Sequence, residues 1–290
     1  MAGREERPGR PFRPRKRFGQ HFLAESWAAK VVEAIDVQPG DTFLEIGPGT
    51  GALTRPLART GARILAVEID RVLAGDLAQS APANVTILSS DFLDTDILPL
   101  LSGLTPVGTP EAARAEPPRR FRVVGNLPYN ITSPIVFRLL EMDRRHGTFA
   151  DATVMMQREV ADRLVAKPGT KAYGSLTVMV ATQARVTRLL DLPPSAFRPA
   201  PKVRSSVVRL EFGHQPVRIA NAEIFERMVK AMFSHRRKTL GNALKSFDHT
   251  APAVLGLAGI DPRRRPETLQ VTEIARLAEL FTSVRGPRVV

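Results

Sequence analysis

Asn126, Leu127, Pro128 and Tyr129 follow the apolar run Val123-Val124-Gly125 in "VVGNLPYN". An asparagine amide carries one acceptor oxygen and donor N–H groups. Pro128 removes a backbone donor and stiffens the turn, so the Leu127 carbonyl can be held facing inward. Two acceptors side by side can grip an exocyclic amine such as N6 of adenine, and the Tyr129 ring offers a face for a base to stack on. Methyl transfer from a sulfonium to such a nitrogen needs little acid–base power. It needs the lone pair aimed at the methyl group and dipoles facing the developing positive charge. The same four residues could also be no more than a turn that ends a strand. A base held this way must be unstacked, which points to a single-stranded or flipped adenosine.

A second constellation lies about eighty residues earlier. "LEIGPGTG" places Gly47, Gly49 and Gly51 between a strand and a helix, where bare backbone can turn tightly beneath a ligand and helix N–H groups point at it. Glu68, in "AVEID", ends the next strand and suits a pair of ribose hydroxyls. Asp91, in "SSDF", follows the third strand and can accept from an adenine amino group. Each carboxylate could instead cap the helix after it. In register, the three features indicate an adenosine ligand, and they do not separate a dinucleotide from S-adenosylmethionine.

These residues need a scaffold that brings strand ends to one edge. Strands are expected at 42–46, 63–69, 84–90, 121–126 and 152–157, with helices at 52–60, 71–80 and 132–142, and an opening helix on the Trp27, Val31, Val32, Ile35 face. Such alternation means a mostly parallel sheet covered on both faces. Residues 101–120, rich in Pro, Gly and Ala, read as a surface insertion. Segments 175–192 and 205–212 read as further strands closing the sheet as a hairpin, joined by the stiff "LPPSAFRPAPKV" loop. From about residue 215 only helical spacing remains: Phe225, Met228, Val229, Met232 and Phe233 share one face. There is no internal repeat.

The chain has 290 residues, 43% hydrophobic and 24% charged, which allows one large domain and one small one. Its 42 Lys+Arg against 29 Asp+Glu give a net charge of +13, and an excess of this kind usually meets a polyanion. The absence of cysteine excludes disulfides, thiolate metal sites and a cysteine nucleophile. Five histidines (21, 146, 214, 235 and 249) show no ligand spacing, so no metal is expected. No run of about 18 apolar residues is present, and the basic N-terminus lacks the apolar core of a signal peptide. The expected location is the cytoplasm, with no membrane partner.

Several motifs together resemble the ribosomal RNA adenine dimethyltransferase family of the KsgA type: "FGQHFL" (18–23), "LEIGPGTGALT" (44–54), "AVEIDR" (66–71), "SSDF" (89–92), "VVGNLPYNITSPIVF" (123–137), "FRPAPKVRSSVVRL" (197–210) and "FSHRRKTLGNAL" (233–244). The resemblance spans about residues 17–281. It implies an α/β fold: a Rossmann-like S-adenosylmethionine-dependent methyltransferase domain, with a mostly parallel seven-stranded sheet, over residues 18–213. A small C-terminal helical domain that binds rRNA or the ribosome would follow over 214–290, and residues 1–17 would form a basic disordered tail.

The resemblance further implies dimethylation of N6 of two adjacent adenosines near the 3′ end of 16S rRNA, within an immature small ribosomal subunit, by a monomer. His21 and Leu23 would bracket the cofactor and Gly47, with Gly49, would lie beneath it. Glu68 would hold the ribose and Asp91 the adenine. Asn126 would stand between cofactor and target, and Tyr129 and Phe197 would sandwich the target base. Lys202, Arg204, Arg236, Arg237, Lys238, Arg263, Arg264 and Arg265 form basic runs suited to phosphates. Two other readings are a macrolide-resistance-type methylase of large-subunit rRNA and a non-catalytic assembly factor with the same fold. A nicotinamide dehydrogenase is disfavoured, because no residue reads as a hydride-transfer acid.

Overall fold

A computed structural model describes residues 20–104, 120–213, 217–234 and 238–285. The expected basic tail at 1–17, most of the insertion at 105–119, and Arg236 and Arg237 lie outside the described residues. Among those described, no helix is long and apolar enough to cross a membrane.

The elements in chain order begin with β1 (Phe22–Leu23), α1 (Glu25–Ile35), β2 (Thr42–Ile46), α2 (Thr54–Arg59), β3 (Arg63–Glu68), α3 (Arg71–Ser80), β4 (Val85–Ser89) and α4 (Leu98–Leu104). Then come β5 (Phe121–Asn126), α5 (Thr132–His146), β6 (Phe149–Gln157), α6 (Arg158–Leu164), α7 (Ser175–Ala181), β7 (Ala184–Leu192), β8 (Phe197–Arg198) and β9 (Ser205–Phe212). The helical end comprises α8 (Ala222–Ser234), α9 (Leu240–Lys245), α10 (Ala251–Ala258) and α11 (Val271–Arg285).

Seven strands form one sheet in the order β4-β3-β2-β5-β6-β9-β7. The first five are parallel, and β9 runs antiparallel between β6 and β7. The chain winds outward from β2 to β4 and then returns to β5 on the other side of β2. That reversal opens a crevice at the carboxyl ends of β2 and β5. Register aligns those ends: Ile46 pairs with Val67 and Gly125, and Asn126 with Met155. Gly125 permits the approach, because a Cβ there would lie 2.6 Å from the Ile46 carbonyl oxygen.

Both faces of the sheet carry apolar cores. One joins Leu44, Leu65, Val123 and Val154 to α5 through Ile135, Val136 and Leu139. The other joins Phe43, Ile64, Val124 and Met155 to α1 through Ala28, Val31 and Ile35. At the opposite edge from the crevice, Arg122 ties the amino ends together. It donates to Asp41 (2.7 Å), Asp151 (2.8 Å) and the Ile35 carbonyl (2.7 Å), so its buried charge is fully paired.

Two expectations change. Residues 175–181 were expected to begin a strand and instead form α7. The Thr177 hydroxyl accepts from the Gly174 N–H (3.1 Å) and donates to the Arg163 carbonyl (2.6 Å), which starts a helical turn. A short apolar, β-branched run has no periodicity that separates strand from helix. Residues 98–104, partly inside the expected surface insertion, form α4, whose Leu101 is buried.

The helical end has its own core around Phe225, Met228, Val254 and Phe281. Tyr173 and Val178 join that core from before residue 214, and the Tyr173 hydroxyl donates to the Leu269 carbonyl (2.9 Å).

Candidate methyl-transfer site

The glycine loop leaves β2 at Gly47, whose φ of +69° lies in the left-handed region that glycine adopts at low cost. Gly47 N–H donates to the Val67 carbonyl (2.9 Å), which pins the loop across the end of β3. Glu68 completes the clasp: one carboxylate oxygen accepts from Gly49 N–H and the other from Asp70 N–H, both at 2.9 Å. Burial pushes the Glu68 carboxyl up, and these N–H groups only partly offset it. Asp70 caps α3 through the Val72 N–H (3.0 Å).

Asn126 closes β5 directly across the loop. Its side-chain amide donates to the His21 carbonyl (2.7 Å). The His21 ring stacks against Tyr129, with centroids 5.7 Å apart and planes at 22°, and its Nδ1 donates to the Pro199 carbonyl (2.7 Å). The Tyr129 hydroxyl shares a hydrogen bond with Ser205 (2.6 Å), and burial raises its pKa. The Leu127 N–H donates to Met155 (3.1 Å), so the turn is continuous with the sheet.

One crevice is therefore lined by His21, Leu23, Gly47, Gly49, Glu68 and Asn126, and by the Leu127-Pro128-Tyr129 turn. These are nine of the eleven expected catalytic and cofactor residues. Asp91 is not in that lining. Its carboxylate accepts from the Leu93 N–H (2.8 Å) and closes the turn at 92–94; the expected helix does not follow it, the next one starting at Leu98.

Phe197 lies outside that lining as well. It is 2% exposed, pairs with Leu23 between β8 and β1, and packs among Leu192, Ala196 and Val207. In this arrangement the ring beside Tyr129 is His21, not Phe197. The two-strand pairing of β1 with β8, extended by the Ala24 N–H to the Ala196 carbonyl (2.9 Å), draws the loop phenylalanine under the N-terminal strap.

The basic residues divide. Lys202, Arg204 and Lys238 are exposed, and Arg263 faces solvent beside Asp261 (3.2 Å). Arg264 instead turns inward to Glu273 and the Thr268 carbonyl (2.8 Å), so its charge serves the fold of the helical end. Arg158 and Arg188, not singled out in the sequence, join Arg204 around Asp191. The Ser206 hydroxyl and these arginines hold the Asp191 carboxyl below its usual range.

Glu45 was also missed. It is 1% exposed, lines the crevice behind Gly47, and leaves Oε2 without a hydrogen-bond partner. An acidic residue inside the apolar strand "TFLEI", immediately before the glycine loop, was the available signal. A nucleoside with a cationic tail fits this donor set: bare backbone at Gly47 and Gly49, carboxylates at Glu45 and Glu68, and no lysine or arginine among the described lining residues.

The chain is similar to known proteins over most of its length. The sequence profile described as "Ribosomal RNA adenine dimethylase" matches residues 12–283. The ribosomal RNA small subunit methyltransferase A of Aromatoleum aromaticum is 42% identical over 281 residues, 95% of this chain and 97% of that protein. Its counterpart in Xanthomonas campestris pv. campestris is 41% identical over 92% of this chain and 95% of its own length. The crystal structure of 23S rRNA methyltransferase ErmE superposes with a TM-score of 0.62 at 29% identity, covering 89% of this chain and 98% of that one. A dimethyladenosine transferase from Plasmodium falciparum shares the fold with a TM-score of 0.67 at 23% identity, over 89% and 96% of the two chains. The chain belongs to the ribosomal RNA adenine dimethylase family.

Proposed function

We propose that the protein dimethylates N6 of two adjacent adenosines near the 3′ end of 16S rRNA, in an immature small ribosomal subunit. The observation that carries this is the position of Asn126 and its Leu127-Pro128-Tyr129 turn, facing the Gly47 loop across the sheet's carboxyl edge. S-adenosylmethionine, when bound, supplies an electrophilic methyl group on a cationic sulfur.

The chain's own residues do the rest. Glu68 and the glycine loop hold the nucleoside end. Asn126 donates its N–H to His21, which leaves the amide oxygen as an acceptor for an N6 proton, and the Leu127 carbonyl is the second acceptor. Together they favour a pyramidal nitrogen with its lone pair exposed. Tyr129, fixed by Ser205, offers a ring for the unstacked base. Lys202, Arg204, Lys238 and Arg263, together with Arg236 and Arg237, hold phosphates without reading sequence. His21 and Leu23 bracket the cofactor, and Asp91 accepts from its adenine amino group.

Residues 18–213 act as the methyltransferase domain and 214–290 as the helical part that meets the ribosomal particle, with a monomer as the working unit in the cytoplasm. Identity above 40% to small-subunit enzymes, against 29% to the large-subunit methylase structure, favours the small-subunit substrate. The intact Asn126–Tyr129 turn argues against a non-catalytic assembly factor. Incubation with labelled S-adenosylmethionine and immature small subunits lacking the modification tests the assignment. The label is expected in N6-dimethyladenosine at two adjacent positions. Label confined to 23S rRNA, or none, would overturn it.

A further inference from the structure

Asp91 and Asn126 leave the sheet at different strands. Asp91 follows β4, Asn126 ends β5, and β3 and β2 stand between them. One side chain crosses that interval. Arg138, in the middle of α5, donates to the Leu93 and Thr95 carbonyls (2.5 and 2.6 Å), and its guanidinium lies 5.6 Å over the buried Phe92 ring. The turn it grips is the one that carries Asp91. The Asp91 carboxylate accepts from the Leu93 N–H, and the Asp91 carbonyl accepts from the Thr95 N–H (3.0 Å) and hydroxyl (2.6 Å). The Ser90 N–H donates to the Glu68 carbonyl (2.9 Å), so the turn starts beside the clasp of the glycine loop. The first turn of α5 grows out of the Leu127-Pro128-Tyr129 turn, where the Ile131 N–H (3.1 Å) and the Thr132 hydroxyl (3.0 Å) both donate to the Pro128 carbonyl.

We infer that Arg138 is a positioning residue: it holds the Asp91 turn where the carboxylate meets the adenine amino group of the methyl donor, in register with the target-base turn at the start of the same helix. This rests on the reading of Asp91 as the adenine acceptor and adds the group that places it. A strand-ending turn leaves carbonyls pointing out of the fold. A planar guanidinium meets two of them at once and fixes their separation, which a single ammonium cannot do. The helix behind the fork is itself fixed, because Ile135, Val136 and Leu139 pack into the core against the sheet. The Asp91 turn therefore cannot shift relative to α5 without breaking two charge-assisted hydrogen bonds and the contact with Phe92. Arg138 acts through Asp91 and lies outside the crevice lining, so it touches neither donor nor target.

Methylthioadenosine and methylthioinosine share ribose and thioether and differ at the amine that Asp91 accepts from, so their affinity ratio reports where the carboxylate stands. Calorimetric titration of the full-length wild type should favour methylthioadenosine by about tenfold or more, the scale of one hydrogen bond to a charged group. Arg138→Met keeps an apolar stem over Phe92 and loses the fork. It should bind methylthioadenosine about tenfold more weakly and methylthioinosine as before, so the preference collapses. Asp91→Ala should show the same pattern, and adding Arg138→Met to it should cost nothing more, because the two residues act as one unit. A brace that served stability alone would lower the melting temperature, or weaken both nucleosides alike, and leave the ratio intact. Arg138→Lys reaches one carbonyl at a time and should keep part of the preference; it carries the test if Arg138→Met does not fold. A folded Arg138 variant with the full wild-type preference overturns the inference, and so does a double variant that loses as much again. A wild-type protein that binds both nucleosides equally overturns the reading of Asp91 itself.

Discussion

The Asn126 amide nitrogen lies 2.7 Å from the His21 carbonyl oxygen, and this one hydrogen bond sets the chemistry of the amide. A carbonyl can only accept, so the nitrogen must face it. The amide oxygen is then turned away from the strap, free to accept. The arrangement ties the N-terminal strap to β5 and selects which atom of Asn126 meets the substrate. Asn126→Ala removes both functions. Methyl transfer in a single turnover should fall by at least about a hundredfold, the scale of losing a preorganised group at the reacting centre. RNA affinity, measured by filter binding, should stay near wild type, because phosphate contacts lie elsewhere. Near-normal methylation by this variant would remove Asn126 from the reaction.

Glu68 clasps the glycine loop through two N–H groups. Glu68→Ala should weaken S-adenosylmethionine binding by roughly 1–3 kcal/mol, the cost of leaving buried donors unpaired. Glu68→Gln keeps one acceptor oxygen and should lose less. Both are measured by titration calorimetry at fixed pH. An unchanged affinity in Glu68→Ala would place the ribose site elsewhere.

Much of this arrangement was legible in the sequence, for a physical reason in each case. Strands buried on both faces read as apolar runs, so β2, β3 and β5 were found with their ends. The glycines before α2 and the carboxylate after β3 mark a crevice because only such residues suit it. What the sequence left open depends on neighbours distant in the chain. Residues 175–181 have strand-like composition, but Thr177, bonded to the Gly174 N–H and the Arg163 carbonyl, starts a helix there. Phe197 could be a stacking surface or a plug, and the choice rests on Leu23, 174 positions earlier, pairing beside it. Arg264 looked like one of a basic run until Glu273 came within reach. Glu45 left a signal, an acid inside the apolar strand before the glycine loop, but sequence does not reveal whether a buried acid finds a partner.

Burial pushes the Glu45 carboxyl up to about 7, with a consequence for the protein without ligand. An acid whose pKa is higher folded than unfolded binds more protons in the folded state between the two values. Its stabilising contribution is complete below about 4.5 and is lost as pH rises through about 7. Across that window the wild type should lose up to roughly 3 kcal/mol relative to Glu45→Gln. Denaturant unfolding of both proteins at pH 5 and pH 8 measures the difference. Parallel pH profiles would mean that Glu45 is ionised, or paired, already in the free protein.

Phe197 offers a test of which ring opposes Tyr129. The structure buries it among Leu23, Leu192, Ala196 and Val207, with the His21 ring beside Tyr129 instead. A buried phenylalanine truncated to alanine costs about 3–5 kcal/mol, whatever the substrate does, so Phe197→Ala should melt early and says little about stacking. Phe197→Leu separates the roles. Leucine fills most of the cavity, and stability should fall by less than in Phe197→Ala. If the ring only plugs the core, this variant keeps its KM for RNA and its rate. If the strap opens on binding and exposes the ring to the flipped adenine, losing the aromatic face should weaken the complex by about 1–3 kcal/mol per stacked base, with stability still near normal. The burial of Phe197 beneath β1 predicts the first outcome. A stable Phe197→Leu protein with a raised KM for RNA would show that the strap releases the ring during the reaction.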